Sequence, residues 1–216
     1  MSVFKWIGLG FAVTALGTVM ANAQYRDTEE PAYEVVTTDR AFQLRDYDPM
    51  VVAEVTHNAS SRRAASSASF RRLAAYIFAQ DRPEGGESIA MTAPVIQDRP
   101  DQDEPIPMTA PVIHEETSKD MWRMRFVMPA KYTLETLPAA PEDITLTEVP
   151  ARRVAIVQFN GYGRENELAL MVSELTKWID DQGLTAIGEP EYAFYDAPMV
   201  PARMRRNEVM IPVAKP

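Results

Sequence analysis

The chain carries two histidines, His57 and His114, and no cysteine among its 216 residues. Without cysteine there is no thiol nucleophile, disulfide, thiolate zinc site or iron–sulfur cluster. Two histidines do not make a multi-histidine metal site within one chain. No serine stands in a Gly-x-Ser-x-Gly elbow, and no glycine-rich loop has phosphate-cradling spacing. The carboxylates are scattered and read as a solvated surface. No base and nucleophile are brought together, so the reading is a protein that is not an enzyme. A formal net charge of −9 argues against nucleic acid or an anionic membrane as main partner, because both are held by basic patches.

One sequence is written twice. Met-Thr-Ala-Pro-Val-Ile occupies residues 91–96 and again 108–113. The residue before each proline, Ala93 and Ala110, is biased to extended backbone. Proline also removes a ladder donor, which assigns both copies to strand starts or sheet edges. The copies therefore read as strand-edge architecture, separated by an acidic, proline-rich loop from Asp98 to Pro107.

The elements around them follow from periodicity. Phe42 and Leu44 alternate with polar neighbours, Tyr47-Asp48-Pro49 reads as a turn, and Val51, Ala53 and Val55 continue as a second strand. Phe70, Leu73, Ala74, Ile77 and Phe78 share one face of a first helix. Ser66, Ser67 or Ser69 is expected to cap it. Arg62, Arg63, Arg71 and Arg72 surround that stripe. A strand is expected from Ser88 to Gln97, through the first hexapeptide. Alternation predicts further strands through Trp122–Met128, Ile144–Thr147 and Val154–Gln158, then Glu191–Tyr195 and Asn207–Pro212. A second helix carries Leu168, Met171, Val172, Leu175, Trp178 and Ile179 on its apolar face and stops at Gly183. Strand pairs joined by short turns favour antiparallel pairing, hence an α+β fold of one domain. The two halves repeat one order of elements, with two helices against a closed or strongly curved sheet.

The N-terminus has the layout of a secretory signal. Lys5 precedes an uncharged, mostly apolar stretch from Trp6 to Met20, followed by Ala21-Asn22-Ala23. The expected organisation is a signal peptide at 1–23, a flexible leader at 24–32 and a domain at 33–216. Cleavage implies a periplasmic or secreted protein with no stable membrane insertion. The alternative is an uncleaved N-terminal anchor.

Several segments together resemble the SOUL haem-binding protein family. They are Phe42-Gln43-Leu44-Arg45-Asp46-Tyr47, the apolar face with Phe70, Leu73, Tyr76 and Ile77, and Ile89-Ala90-Met91-Thr92-Ala93-Pro94-Val95. Phe159-Asn160-Gly161-Tyr162, Tyr195-Asp196-Ala197-Pro198 and Arg206-Asn207-Glu208-Val209 complete the likeness, which runs from about Ala32 to Val213. The resemblance implies a distorted antiparallel β-barrel flanked by two helices, built from pseudo-duplicated β-α halves. It also implies haem or a related tetrapyrrole bound in a shallow apolar cleft beside the first helix. On that expectation Phe70, Leu73, Ala74 and Ile77 supply a face for the ring. Arg71, Arg72 and the closing Arg203, Arg205 and Arg206 supply cations for the propionates. Where the histidine-ligated branch of the family has His, this chain has Asp46. Carboxylates are poor axial ligands, so binding is weakly ligated or another group serves: His57, a Met or a Tyr. The expected role is an exported carrier, buffer or scavenger of tetrapyrrole. A binding module for another apolar ligand or a protein partner is the alternative, and an enzyme acting on a tetrapyrrole the third.

Overall fold

The computed structural model describes residues 28–100 and 121–215. The expected signal peptide, the start of the leader, His114 and the second hexapeptide lie outside them. Nine strands and two helices follow in the order β1 (Tyr33–Asp39), β2 (Phe42–Tyr47), β3 (Met50–Asn58), α1 (Arg62–Ile77), β4 (Val95–Asp98), β5 (Met121–Val127), β6 (Thr145–Val149), β7 (Arg152–Phe159), α2 (Glu165–Asp181), β8 (Glu191–Phe194) and β9 (Asn207–Val213). All pair antiparallel in one curled sheet of order β1-β2-β7-β9-β8-β4-β5-β3-β6, with β1 and β6 at its edges. The α+β class and barrel-like sheet expected from sequence are present.

The internal duplication is visible in the pairing. In one unit β3 precedes α1 and pairs with β5, which pairs with β4. In the other, β7 precedes α2 and pairs with β9, which pairs with β8. The units join where β4 meets β8, through Val95↔Phe194, Ile96↔Ala193 and Gln97↔Tyr192.

Each helix covers one half of the same sheet face. Leu73, Tyr76 and Ile77 of α1 pack on Ala53, Val55, Met124 and Phe126. Leu168, Leu175, Trp178 and Ile179 of α2 pack on Leu44, Ala155, Val157, Val209 and Ile211. Because side chains alternate along a strand, the intervening residues form the opposite face. There Arg123 bonds Asp98 (2.6 Å), Arg125 lies between Asp98 (3.1 Å) and Glu191 (3.2 Å), and Arg152 bonds Glu191 (2.8 Å). A second buried pair, Arg45–Glu208 at 3.0 Å, takes in the hydroxyls of Tyr47 and Tyr195.

Three expectations change. The cap of α1 is Ser61, whose side chain accepts from the Ala64 amide, so the helix starts earlier than expected. Ser66 and Ser69 sit within the helix and bond Gln97 and His57 instead. The strand expected from Ser88 begins only at Val95. Before it, the Ile89 amide donates to the Ile77 carbonyl at the end of α1 and the Ala93 amide to the Glu29 carbonyl, so these groups serve other partners than a ladder. Residues 28–32, expected within a flexible leader, are tied down by that Ala93 bond, by Glu29 accepting from the Ala130 amide and by Ala32 accepting from Asp48. The strand β1 was not expected at all. As an edge it buries almost nothing, and Val35 and Val36 are 49% and 46% exposed, so no alternation marks it.

The ionic cluster makes an acid-stability prediction. Burial alone would raise the Glu191 carboxyl, but Arg125 and Arg152 bring it down from 4.5 to about 2. A folded value below the unfolded one means stability present above pH 4.5 and lost as pH falls toward 2. Glu191→Gln is expected to destabilise the protein at pH 7 and to flatten the loss of stability across that window, read by denaturant melts at stepped pH.

Candidate functional site

The helix-covered face holds an apolar cleft of about 370 Å³ close to the seam between the halves. Phe70 enters it from α1, 38% exposed, with its ring edge-on to Phe126 at 5.3 Å. Met91, Thr92, Ala93 and Val95 of the first hexapeptide form one wall. Phe194 at the end of β8 and the following Tyr195–Met199 form the other, with Thr28 at the rim. The seam register sets Val95 beside Phe194.

Each wall is held from behind. The Thr92 hydroxyl donates to the Val127 carbonyl, and the Ala93 amide to Glu29. The Tyr195 hydroxyl donates to Glu208 at 2.7 Å. Burial, and then the Glu208 charge, push that phenol well above its ordinary value, so it stays protonated. The Arg206 guanidinium lies 3.5 Å from the Tyr195 ring centre, pairs with Glu30, and its amide donates to Asp196. Arg62 of α1 reaches across to the Gly163 carbonyl at 2.6 Å, passing over the Phe194 ring at 5.0 Å.

Of the residues expected at the ligand from sequence, Phe70 alone lines this cleft. Leu73 and Ile77, 0% and 1% exposed, are spent in the core beneath α1, so they offer no surface to a ring. Ala74 is half-buried and outside the lining. Arg72 is held by Asp81 and Asp143. Arg71 is exposed and has no ion pair among the described residues. Arg203 is exposed, while Arg205 bonds the backbone of the Pro198–Val200 turn. His57 does not line the cleft; its Nδ1 lies 2.9 Å from the Ser69 hydroxyl. Asp46 pairs with Arg153 at 2.8 Å, and that hydrogen bond holds its carboxyl below the usual range. The residues missed were Met91, Val95, Phe194 and Met199. Their segments were conspicuous in the sequence; that two of them face each other was not.

A sequence profile of the SOUL heme-binding proteins matches residues 28–212. The chain belongs to this family. No curated protein matches it. Among solved structures, the C-terminal domain of EcmrR superposes with a TM-score of 0.57 at 14% identity, covering 85% of this chain and 99% of that one. A hydrolase from Listeria innocua gives 0.55 at 13% identity, over 83% of this chain and 94% of that one. At such identity the likeness is one of fold.

A SOUL protein is named for haem, a flat apolar plate with two carboxylates, and two clefts lined by described residues differ in how they suit it. The larger, about 490 Å³, lies across Thr92 from the first and is lined by Glu29, Glu30, Asp48, Glu135 and Glu148. Five carboxylates repel propionates. The smaller cleft has aromatic and thioether walls and lies within the ordinary size range of ligand pockets, about 300–1,000 Å³. Its lining holds a single carboxylate, Asp196.

Gly163 controls one wall. Its φ is +62°, and a Cβ there would stand 2.5 Å from the Phe194 ring. Gly163→Ala is expected to cost at least about 1–2 kcal/mol from left-handed backbone alone, lowering Tm by roughly 2–8 °C. Ring displacement should add to this. Calorimetry checks the stability, and quenching by an apolar dye checks the cleft.

Proposed function

We propose that this SOUL protein is an exported tetrapyrrole-binding protein, acting as carrier, buffer or scavenger. The ring lies in the cleft between Phe70, the first hexapeptide and the Phe194–Met199 segment. The observation that carries this reading is the exposed apolar lining of a cleft built from three segments by which the family is recognised. Apolar walls take the ring by removing its face from water. Arg71, one residue beyond Phe70 and unpaired among the described residues, is the cation best available for a propionate. Arg206, already paired with Glu30, is the second. Binding without turnover is the chemistry this lining supports: it holds no base poised beside a nucleophile.

Haem titrated into the mature protein is expected to give a saturable Soret shift. Phe70→Asp should weaken binding more than tenfold, since it sets a charge against the ring. It should cost about 2–3 kcal/mol of stability, from lost burial, the contact with Phe126 and helix propensity, so a melt accompanies the titration. No saturable shift, or repeated turnover of haem, would overturn the reading.

Export rests on the residues before the described domain. Expressed in a secreting bacterial host, the protein is expected in the periplasm or medium with Gln24 as its first residue, read by intact mass. Full-length protein retained in the membrane fraction would favour an anchor instead.

A further inference from the structure

The cleft lining carries two thioethers, Met91 and Met199, while Asp46 lies outside it, paired with Arg153. We propose that Met199 supplies its sulfur as an axial ligand to the iron of the bound tetrapyrrole, an assignment that rests on the haem-binding reading above. Four lining side chains offer a donor atom that iron could take: Tyr195, Asp196, Met91 and Met199. The Tyr195 oxygen is committed to Glu208 and keeps its proton. Asp196 accepts from the Arg206 amide at 2.6 Å, and carboxylates are poor haem ligands. Met91 packs against the hydrophobic cluster under α1.

Met199 is different in kind. It is 68% exposed, the most exposed of the large apolar side chains among the described residues. Its backbone is nevertheless fixed on both sides. Arg205 donates through Nε to the Val200 carbonyl at 2.7 Å and through Nη2 to the Pro198 carbonyl, one bond to the peptide before Met199 and one to the peptide after Val200. The Val200 amide donates to the Ala197 carbonyl at 3.0 Å, and the Val200 side chain is buried. The chain thus anchors the backbone around an apolar residue of the cleft lining while leaving most of that residue exposed. Rigid backbone lowers the ordering cost of binding, and a flexible thioether can reach the metal. Arg205 is the positioning residue of this arrangement.

Met199→Leu keeps the volume and apolarity and removes the sulfur. The test uses the mature protein loaded with haem, read by the sulfur-to-iron charge-transfer band of the ferric complex and by its reduction potential. Wild type is expected to show the band. Met199→Leu should lose it and lower the potential, because thioether ligation raises it, while haem affinity changes less than tenfold. Met91→Leu and His57→Leu should both retain the band, since Met91 packs on the core cluster and His57 lies outside the lining. Saturable haem binding without the band in wild type, its persistence in Met199→Leu, or its loss in either control overturns the ligand assignment and leaves the haem reading standing. Absence of saturable binding overturns both.

Discussion

Arg125 stands between Asp98 of β4 and Glu191 of β8, and the two halves of the sheet meet at that point. Each half has its own helix and its own hydrophobic cluster. What crosses between them is short: two four-residue strands and three paired positions. A hydrophobic contact tolerates sliding, whereas buried ions do not. Removing either partner leaves an uncompensated charge out of water, at a cost of roughly 3–5 kcal/mol. The ion pairs that link Arg123, Asp98, Arg125, Glu191 and Arg152 across five strands therefore act mainly on register. A one-residue slip of β4 against β8 would turn Asp98 to the face opposite Glu191.

That register places the cleft. Val95 and Phe194 are paired residues of the seam, and both point to the helix-covered face, opposite to the ions. One side of the gap between the helices is closed by Arg62, which spans from α1 to Gly163. The other side stays open between Phe70 and Met199. The Arg45–Glu208 pair reaches the same cleft from beneath, through the Tyr195 hydroxyl. Buried charge on one face of the sheet thus positions apolar walls on the other.

Much of this was legible in the sequence. Trp122–Met128 showed clean alternation, although both faces of that strand are buried, one under α1 and one around the ions, and the stripe of α2 named the residues that the core contains. The stripe of α1 was equally plain but its use was not. Periodicity says which face of a helix is apolar and says nothing about what covers it. Leu73 and Ile77 are covered by the sheet; Phe70, near the middle of the helix, and Phe78 at its end stay partly exposed, and of the two only Phe70 lines the cleft. Edge strand β1 left no mark, because a strand that buries little has no reason to alternate. The hexapeptide was read as sheet-edge architecture. In the structure its first copy does hold a strand start and a backbone anchor, but that strand, β4, lies between β8 and β5 and is no edge; the copy also forms a wall of the cleft.

The sequence by itself determined the family, the α+β class, the doubled order of elements and the absence of thiol and multi-histidine chemistry. These depend on residue types and on spacings within a dozen positions, which local sterics and burial translate directly. Only the tertiary structure decided which apolar residues remain uncovered. It brought residues 28, 70, 91–95 and 194–199 to one cleft, gave the second arginine of α1's pair to Asp81 and Asp143, and closed Arg206 onto Glu30. Those outcomes depend on pairing between segments up to about 170 positions apart, and the charges that enforce it acquire their partners only when the sheet has formed.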